Sequence, residues 1–255
     1  MSRIWALGFN TFREAVRDRI LVSILLFAVG IILCSAVMHE ITIGDQDKVV
    51  RSVAQGAIDV FAAIIAIFLG ISLVWKELDK KTIYTIISKP IPRWMFVLGK
   101  YIGLMFTISL EVFLLTAVYT VFVSIEQHPP PPIFFVSVAT LMLELLLITS
   151  WATLFSASSA PTTAAAFTMA IYVIGHLADD LWRFGNQSES MMFREFAHAM
   201  YWILPNFEIF NLREAAVHET AIPWERVRTS VMYGLSYSTA VLGVAMSVFS
   251  RRDIQ

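Results

Sequence analysis

Six long apolar runs constrain this chain more than any other feature. They are Ile20–Met38, Ala57–Trp75, Met95–Val123, Ile133–Phe155, Thr162–Ala178 and Val231–Phe249. Five hold at least 19 residues and Thr162–Ala178 holds 17. About 20 helical residues cross a hydrocarbon core of roughly 30 Å. Strands of a membrane barrel alternate apolar and polar residues with period two, and these runs do not, so they read as helices. Composition agrees. Of 255 residues, 57% are apolar and 15% charged, where a soluble domain is about a quarter charged. A soluble fold of this length has no core large enough to hide so much apolar side chain. A soluble enzyme and a disordered chain are excluded. A disulfide scaffold is excluded too, because the one cysteine, Cys34, lies inside an apolar run. Arg13, Arg17 and Arg19 precede the first run as they would in a signal peptide. That run is long, and His39-Glu40 follows it rather than a small-residue cleavage site, so it reads as a retained span. The expected fold is an all-α polytopic membrane protein of six transmembrane helices, a single transmembrane domain over residues 1–255.

Six spans put both termini on one side, and basic residues choose the side. The net charge of −1 hides an asymmetry along the chain. Residues 1–19 hold four arginines, and 76–94 holds Lys76, Lys80, Lys81, Lys89 and Arg93. Residues 39–56 hold only Lys48 and Arg51, 124–132 hold no Lys or Arg, and 179–230 spreads five arginines over 52 residues. Both termini and the loop 76–94 are therefore expected in the cytoplasm, with 179–230 outside.

Residues 1–19 read as an amphipathic helix on the membrane surface. Ile4, Trp5, Gly8, Phe9, Phe12 and Val16 recur at helical spacing, with Arg3, Asn10, Arg13, Glu14, Arg17 and Asp18 largely opposite. The plainer reading is the start of the first span. In 76–94, Leu78, Ile83, Ile86 and Ile87 give an apolar side, and Pro90 and Pro92 stop a helix. A helix of about three turns is expected across the cytoplasmic face, able to pass a push from a partner into the membrane. A basic loop that only sets topology would explain the lysines but not the apolar periodicity. Outside, His128–Pro132 reads as a stiff polyproline spacer. In 179–230, Met192, Phe193, Phe196, Met200, Tyr201, Trp202, Phe207, Phe210 and Trp224 are too many apolar side chains for a solvated loop. Short amphipathic helices dipping into the outer membrane face account for them.

Phosphate-loop, metalloprotease and nucleophile-elbow motifs are absent, so the energy for any work must come from a gradient or another subunit. Glu111 and Glu144 sit near the middles of the third and fourth runs, and a charge there costs a few kcal/mol. An antiparallel hairpin would place them at similar depth, where they either make structural hydrogen bonds or line a polar pathway. Asp59 falls nearer the outer end and reads as hydrated. A metal site at His176 with His198 or His218 has no ligand spacing behind it, and Met191, Met192 and Met200 read as adaptable packing rather than a copper patch.

Three stretches carry a family resemblance. Phe12–Arg19 resembles the amino-terminal elbow of ABC-2-type ABC transporter permeases. Trp75–Arg93 closely resembles their coupling-helix segment. Leu204–Asn211 is similar to an outer-loop motif in the branch containing the permease for multicopper (nitrous-oxide reductase) enzyme maturation. The resemblance implies an elbow helix, a coupling helix, re-entrant outer helices between spans five and six, and no catalytic residue. It implies ATPase-coupling roles for Glu77, Leu78, Lys81, Thr82, Tyr84, Ile87 and Lys89, and an outer gate at Pro205, Asn206 and Phe207. Glu111 and Glu144 are the expected pathway lining. The implied partners are an ABC ATPase subunit that binds ATP and Mg, a second permease subunit (identical or paralogous) and membrane lipid. No cofactor or metal is expected in this chain and no nucleic-acid partner, and the expected location is the inner or plasma membrane. The expected function is the permease subunit of an ATP-driven exporter. The rivals are a subunit that transmits the ATP stroke to an outer partner without transport, and a gradient-driven transporter, for which no inverted repeat is visible.

Overall fold

The computed structural model describes residues 3–41, 46–79, 92–125 and 129–251, with side chains for all of these except 36–41 and 73–79. The described residues are almost entirely helical and contain no strand. The helices are α1 (Arg3–Val16), α2 (Arg19–Ile41), α3 (Gln46–Asp79), α4 (Arg93–Ile125), α5 (Pro132–Ser158), α6 (Pro161–His176), α7 (Ala178–Gln187), α8 (Met191–Ile203), α9 (Arg213–Val217) and α10 (Trp224–Arg251), with one 3-10 turn at Glu208–Phe210.

Local chemistry sets several boundaries. The Asp18 carboxylate accepts the Ile20 N–H at 3.1 Å and caps α2. Pro132 and Pro161 open α5 and α6, where a missing N–H costs nothing. The Ser190 hydroxyl accepts the Phe193 N–H at 3.4 Å and starts α8.

Four helices, α3, α4, α5 and α10, are long and apolar enough to cross a membrane by themselves. The count rises to the expected six when each of two bent pairs is one span: α1 with α2, bent by 62°, and α6 with α7, bent by 53°. For α6 the reason is length. The 16 residues of α6 rise about 24 Å, short of a core of roughly 30 Å. Residues 46–56, expected as loop, continue α3 instead. In 179–230 the chain forms two helices in tandem, α7 and α8, followed by the 3-10 turn and α9.

The bundle has two poles. At one, the Arg93 guanidinium donates to the Ser250 carbonyl at 3.1 Å, joining the start of α4 to the end of α10. At the other, Arg51 of α3 pairs with Glu219 beyond α9. Glu219 is the one described non-glycine residue at positive φ, 53°. Polarity is distributed as a lipid solvent dictates. Phe27, Phe68, Phe113, Val121 and Phe135 face outward, while hydroxyls and amides pair inside. The Tyr101 O–H donates to the Leu146 carbonyl at 2.8 Å, the Ser156 O–H to the Ile71 carbonyl at 2.8 Å, and the Gln55 amide to Ser137.

Candidate functional site

A polar cavity of about 230 Å³ lies near the Arg51–Glu219 pole, between α3, α5, α6 and the segment before α9. Helical spacing builds its walls. Ser52, Gln55, Gly56 and Asp59 share one face of α3, at offsets of three, four and seven residues. Ser137, Leu141 and Glu144 share a face of α5, and Tyr172 and His176 lie one turn apart on α6. Asp59, Ser137, Leu141, Glu144, Tyr172 and His176 line the cavity with Phe210, Asn211, Leu212 and Arg213.

Glu144, only 6% exposed, accepts from His176 Nε2 across 3.3 Å. His176 Nδ1 stands 3.0 Å from the Tyr172 carbonyl, which fixes the ring along α6. The Arg213 guanidinium donates to the Ser52 carbonyl at 2.7 Å and to the Ser52 hydroxyl at 3.1 Å. It fills the space a side chain at Gly56 would occupy. Carboxylates from two helices, an imidazole and an anchored guanidinium thus share one small cavity. Such a set can hold a charged or strongly polar guest and exchange protons with it.

The segment 204–213 forms the cavity's cover. Phe207 is fully buried against the rings of Tyr172 and His176, and its N–H donates to the Gly175 carbonyl at 3.0 Å. A Cβ on Gly175 would collide with the Phe207 ring, so the missing side chain is what admits Phe207. The Asn206 amide donates to Asp179 at 2.6 Å, and its backbone N–H donates to the Tyr233 hydroxyl at 2.9 Å. Pro205 is buried beside them. The Arg226 guanidinium and the Ser230 hydroxyl hold the Glu208 and Ile209 carbonyls at 2.6 and 2.7 Å.

The structure therefore brings Glu144, Pro205, Asn206 and Phe207 into one neighbourhood. Glu111 lies on α4 and is not among the cavity residues; both its carboxylate oxygens are buried without a hydrogen bond. Of the expected coupling residues, Glu77 and Leu78 fall within the backbone of α3, with side chains outside the described residues. Lys81, Thr82, Tyr84, Ile87 and Lys89 lie outside the described residues altogether. Sequence reasoning took Asp59 as merely hydrated and passed over Gln55, Ser137, Tyr172 and Arg213. The signal available for Gln55, Ser137 and Tyr172 was spacing, since each repeats at helical offsets with another polar side chain of its own helix, whereas Arg213 carried no such signal. Among the described residues no cluster of three or more His, Cys, Asp or Glu could hold a metal ion.

A search of curated proteins finds no match. The family model described as "ABC-2 family transporter protein" matches residues 5–254. Nearly the whole chain lies within that match, from α1 to beyond the end of α10, and so includes every wall of the cavity and its cover. This multi-pass chain belongs to the ABC-2 family of ABC transporter membrane components.

Proposed function

We propose that the chain is the permease subunit of an ATP-driven exporter in the inner or plasma membrane, with both termini and 76–94 in the cytoplasm. A separate ABC ATPase subunit binds ATP and Mg, and a second permease subunit, identical or paralogous, faces this one. Glu77, Leu78, Lys81, Thr82, Tyr84, Ile87 and Lys89 form the surface that receives the ATPase stroke. This chain supplies no catalytic group and carries no cofactor of its own.

The observation that carries the reading is the covered polar cavity. Buried carboxylates are costly in a membrane bundle unless they serve a guest or a relay. Glu144 and Asp59 lie under a segment held by side chains from α3, α7 and α10. Pro205, Asn206 and Phe207 act as the outer gate, with Phe207 as its plug. Glu111 is the second pathway residue. A carboxyl left without hydrogen bonds in one state gains them when water or substrate enters in another. The likeness of Leu204–Asn211 to the copper-enzyme maturation branch suggests a gate of the same kind, and copper is no part of the proposal.

The test is purification in mild detergent with mass spectrometry and an ATPase assay. Recovery of an ABC ATPase, weakened by Glu77→Ala with Tyr84→Ala, is the expected result. Recovery without any nucleotide-binding partner would overturn the reading in favour of gradient-driven transport. Glu144→Gln separates the remaining rival: a transporter loses substrate-stimulated ATPase, whereas a subunit that only transmits force is indifferent to it.

A further inference from the structure

α1 meets α4 through its small residues and leaves its aromatic ones partly exposed beside that contact. Gly8, Thr11 and Ala15 are the buried positions of α1. A Cβ on Gly103 of α4 would overlap the Gly8 carbonyl, so the two backbones touch there. Trp5 packs edge-on against Phe106 of α4, with ring centroids 5.5 Å apart, and Trp5 and Phe9 remain 46% and 54% exposed. Phe106 and Phe113 rise along the adjoining side of α4, and Phe113 is 67% exposed. Between the two helices lies an apolar groove of about 460 Å³. Its one hydroxyl, on Ser109, already donates to the Met105 carbonyl at 2.7 Å.

The groove has the length of one membrane leaflet. From Ile102 to Phe113, 11 positions at 1.5 Å each give about 16 Å, half of a core of roughly 30 Å. It also has a charged end. The Arg13 guanidinium lies 6.0 Å over the Phe9 ring at the rim, and exposed Arg17 and Arg19 follow. The acids nearby are Glu14 and Asp18, and Asp18 caps α2.

We propose that the α1–α4 groove binds one acyl chain of an anionic phospholipid, whose phosphate is held by Arg13 and Arg17. The length favours a single chain lying along α4, and the cationic rim favours a negative headgroup. The bound lipid fills the space that the small-residue contact leaves open, and so fixes the angle between α1 and α4. The site is independent of the polar cavity, and its test does not depend on transport.

Native mass spectrometry of the delipidated wild-type chain, titrated with phosphatidylglycerol or phosphatidylcholine, reads the site directly. The expected result is one phosphatidylglycerol bound about thirtyfold more tightly than phosphatidylcholine, the scale of two arginines at a membrane surface. R13Q with R17Q should bring phosphatidylglycerol down to the phosphatidylcholine level, while R183Q, far along the chain, leaves the preference intact. Ser109→Phe, which fills the groove, should abolish the tight site. If that variant does not fold, the arginine pair decides alone. Equal binding of both lipids by the wild type would overturn the proposal, as would a preference that survives R13Q with R17Q. So would a groove covered by a second copy, seen as dimers that bind no lipid and dissociate in Ser109→Phe.

Discussion

At residue scale, the two buried acids of the membrane interior are in different situations. Glu144 has a partner in His176 and an opening into a cavity. Glu111 is 2% exposed and has neither a hydrogen bond nor a place in the cavity wall. A polar group desolvated without a partner costs about 1–3 kcal/mol. Glu111→Leu should therefore stabilise the resting state by about that amount, seen as a higher unfolding temperature in detergent. If Glu111 serves the pathway, the same variant should lose transport while gaining stability. Unchanged stability would mean the carboxyl is satisfied after all. Gly175 makes the opposite case. A valine there must push the Phe207 ring out of its niche, and overpacking of this kind costs about 1–3 kcal/mol. Gly175→Val should lower the unfolding temperature and, by unseating the plug, raise basal ATPase activity of the assembled complex. Lower stability with unaltered ATPase would remove Phe207 from the gate.

At the scale of elements, side chains of several helices hold the cover to the bundle, and Arg213 makes two of the bonds. Its two bonds to Ser52 are charge-assisted, a class worth about 1.5–3 kcal/mol each in favourable settings. Arg213→Ala should free the 204–220 segment without unfolding α3 or α5. Hydrogen exchange of that segment should rise while the helices keep their protection, whereas a uniform rise would make Arg213 a general stabiliser. These elements also show what was legible in the sequence. The long spans were, because apolar runs of 19 to 29 residues leave little other reading. The end of the fifth run at Ala178 was legible too, two residues beyond the break after His176, because Asp179 and Asp180 follow; the 53° turn into a further helix was not, because hydropathy is blind to direction. α1 was legible as a helix, and Trp5 and Phe9 of its apolar stripe stay exposed. That Gly8, Thr11 and Ala15 pack against α4 was not legible, since only small residues let two backbones approach and such residues carry little hydropathy signal. At the cavity, Glu144 stood out by its cost, whereas Arg213 sits in a polar stretch where an arginine draws no notice. Only the fold brings it to Ser52, 161 positions away.

At the scale of the molecule, one arrangement in the membrane follows from the poles. Arg93 and Ser250 mark one end of the bundle, and Arg51, Glu219 and the cover mark the other. Basic residues are dense at the first end and sparse at the second, and the proposed orientation, with the first end in the cytoplasm and the cover outside, rests on that asymmetry. In that orientation the helices α7 and α8 lie at the outer membrane face. Phe184, Met192, Phe196 and Trp202 are all exposed there, and water is a poor neighbour for four such side chains. The single cysteine makes this straightforward to check. In a Cys34→Ser background, a cysteine at half-buried Ser188, between α7 and α8, should react with an impermeant maleimide on intact cells. A cysteine at Ser250 should react only after the membrane is opened. A third, at Trp202, separates the two settings for the hairpin. Buried in lipid, it should resist the aqueous reagent on intact cells and after permeabilisation alike. Standing in water, it should label as fast as Ser188→Cys. Labelling of Ser250→Cys from outside would invert the topology and move the cover, and the gate with it, to the cytoplasmic face.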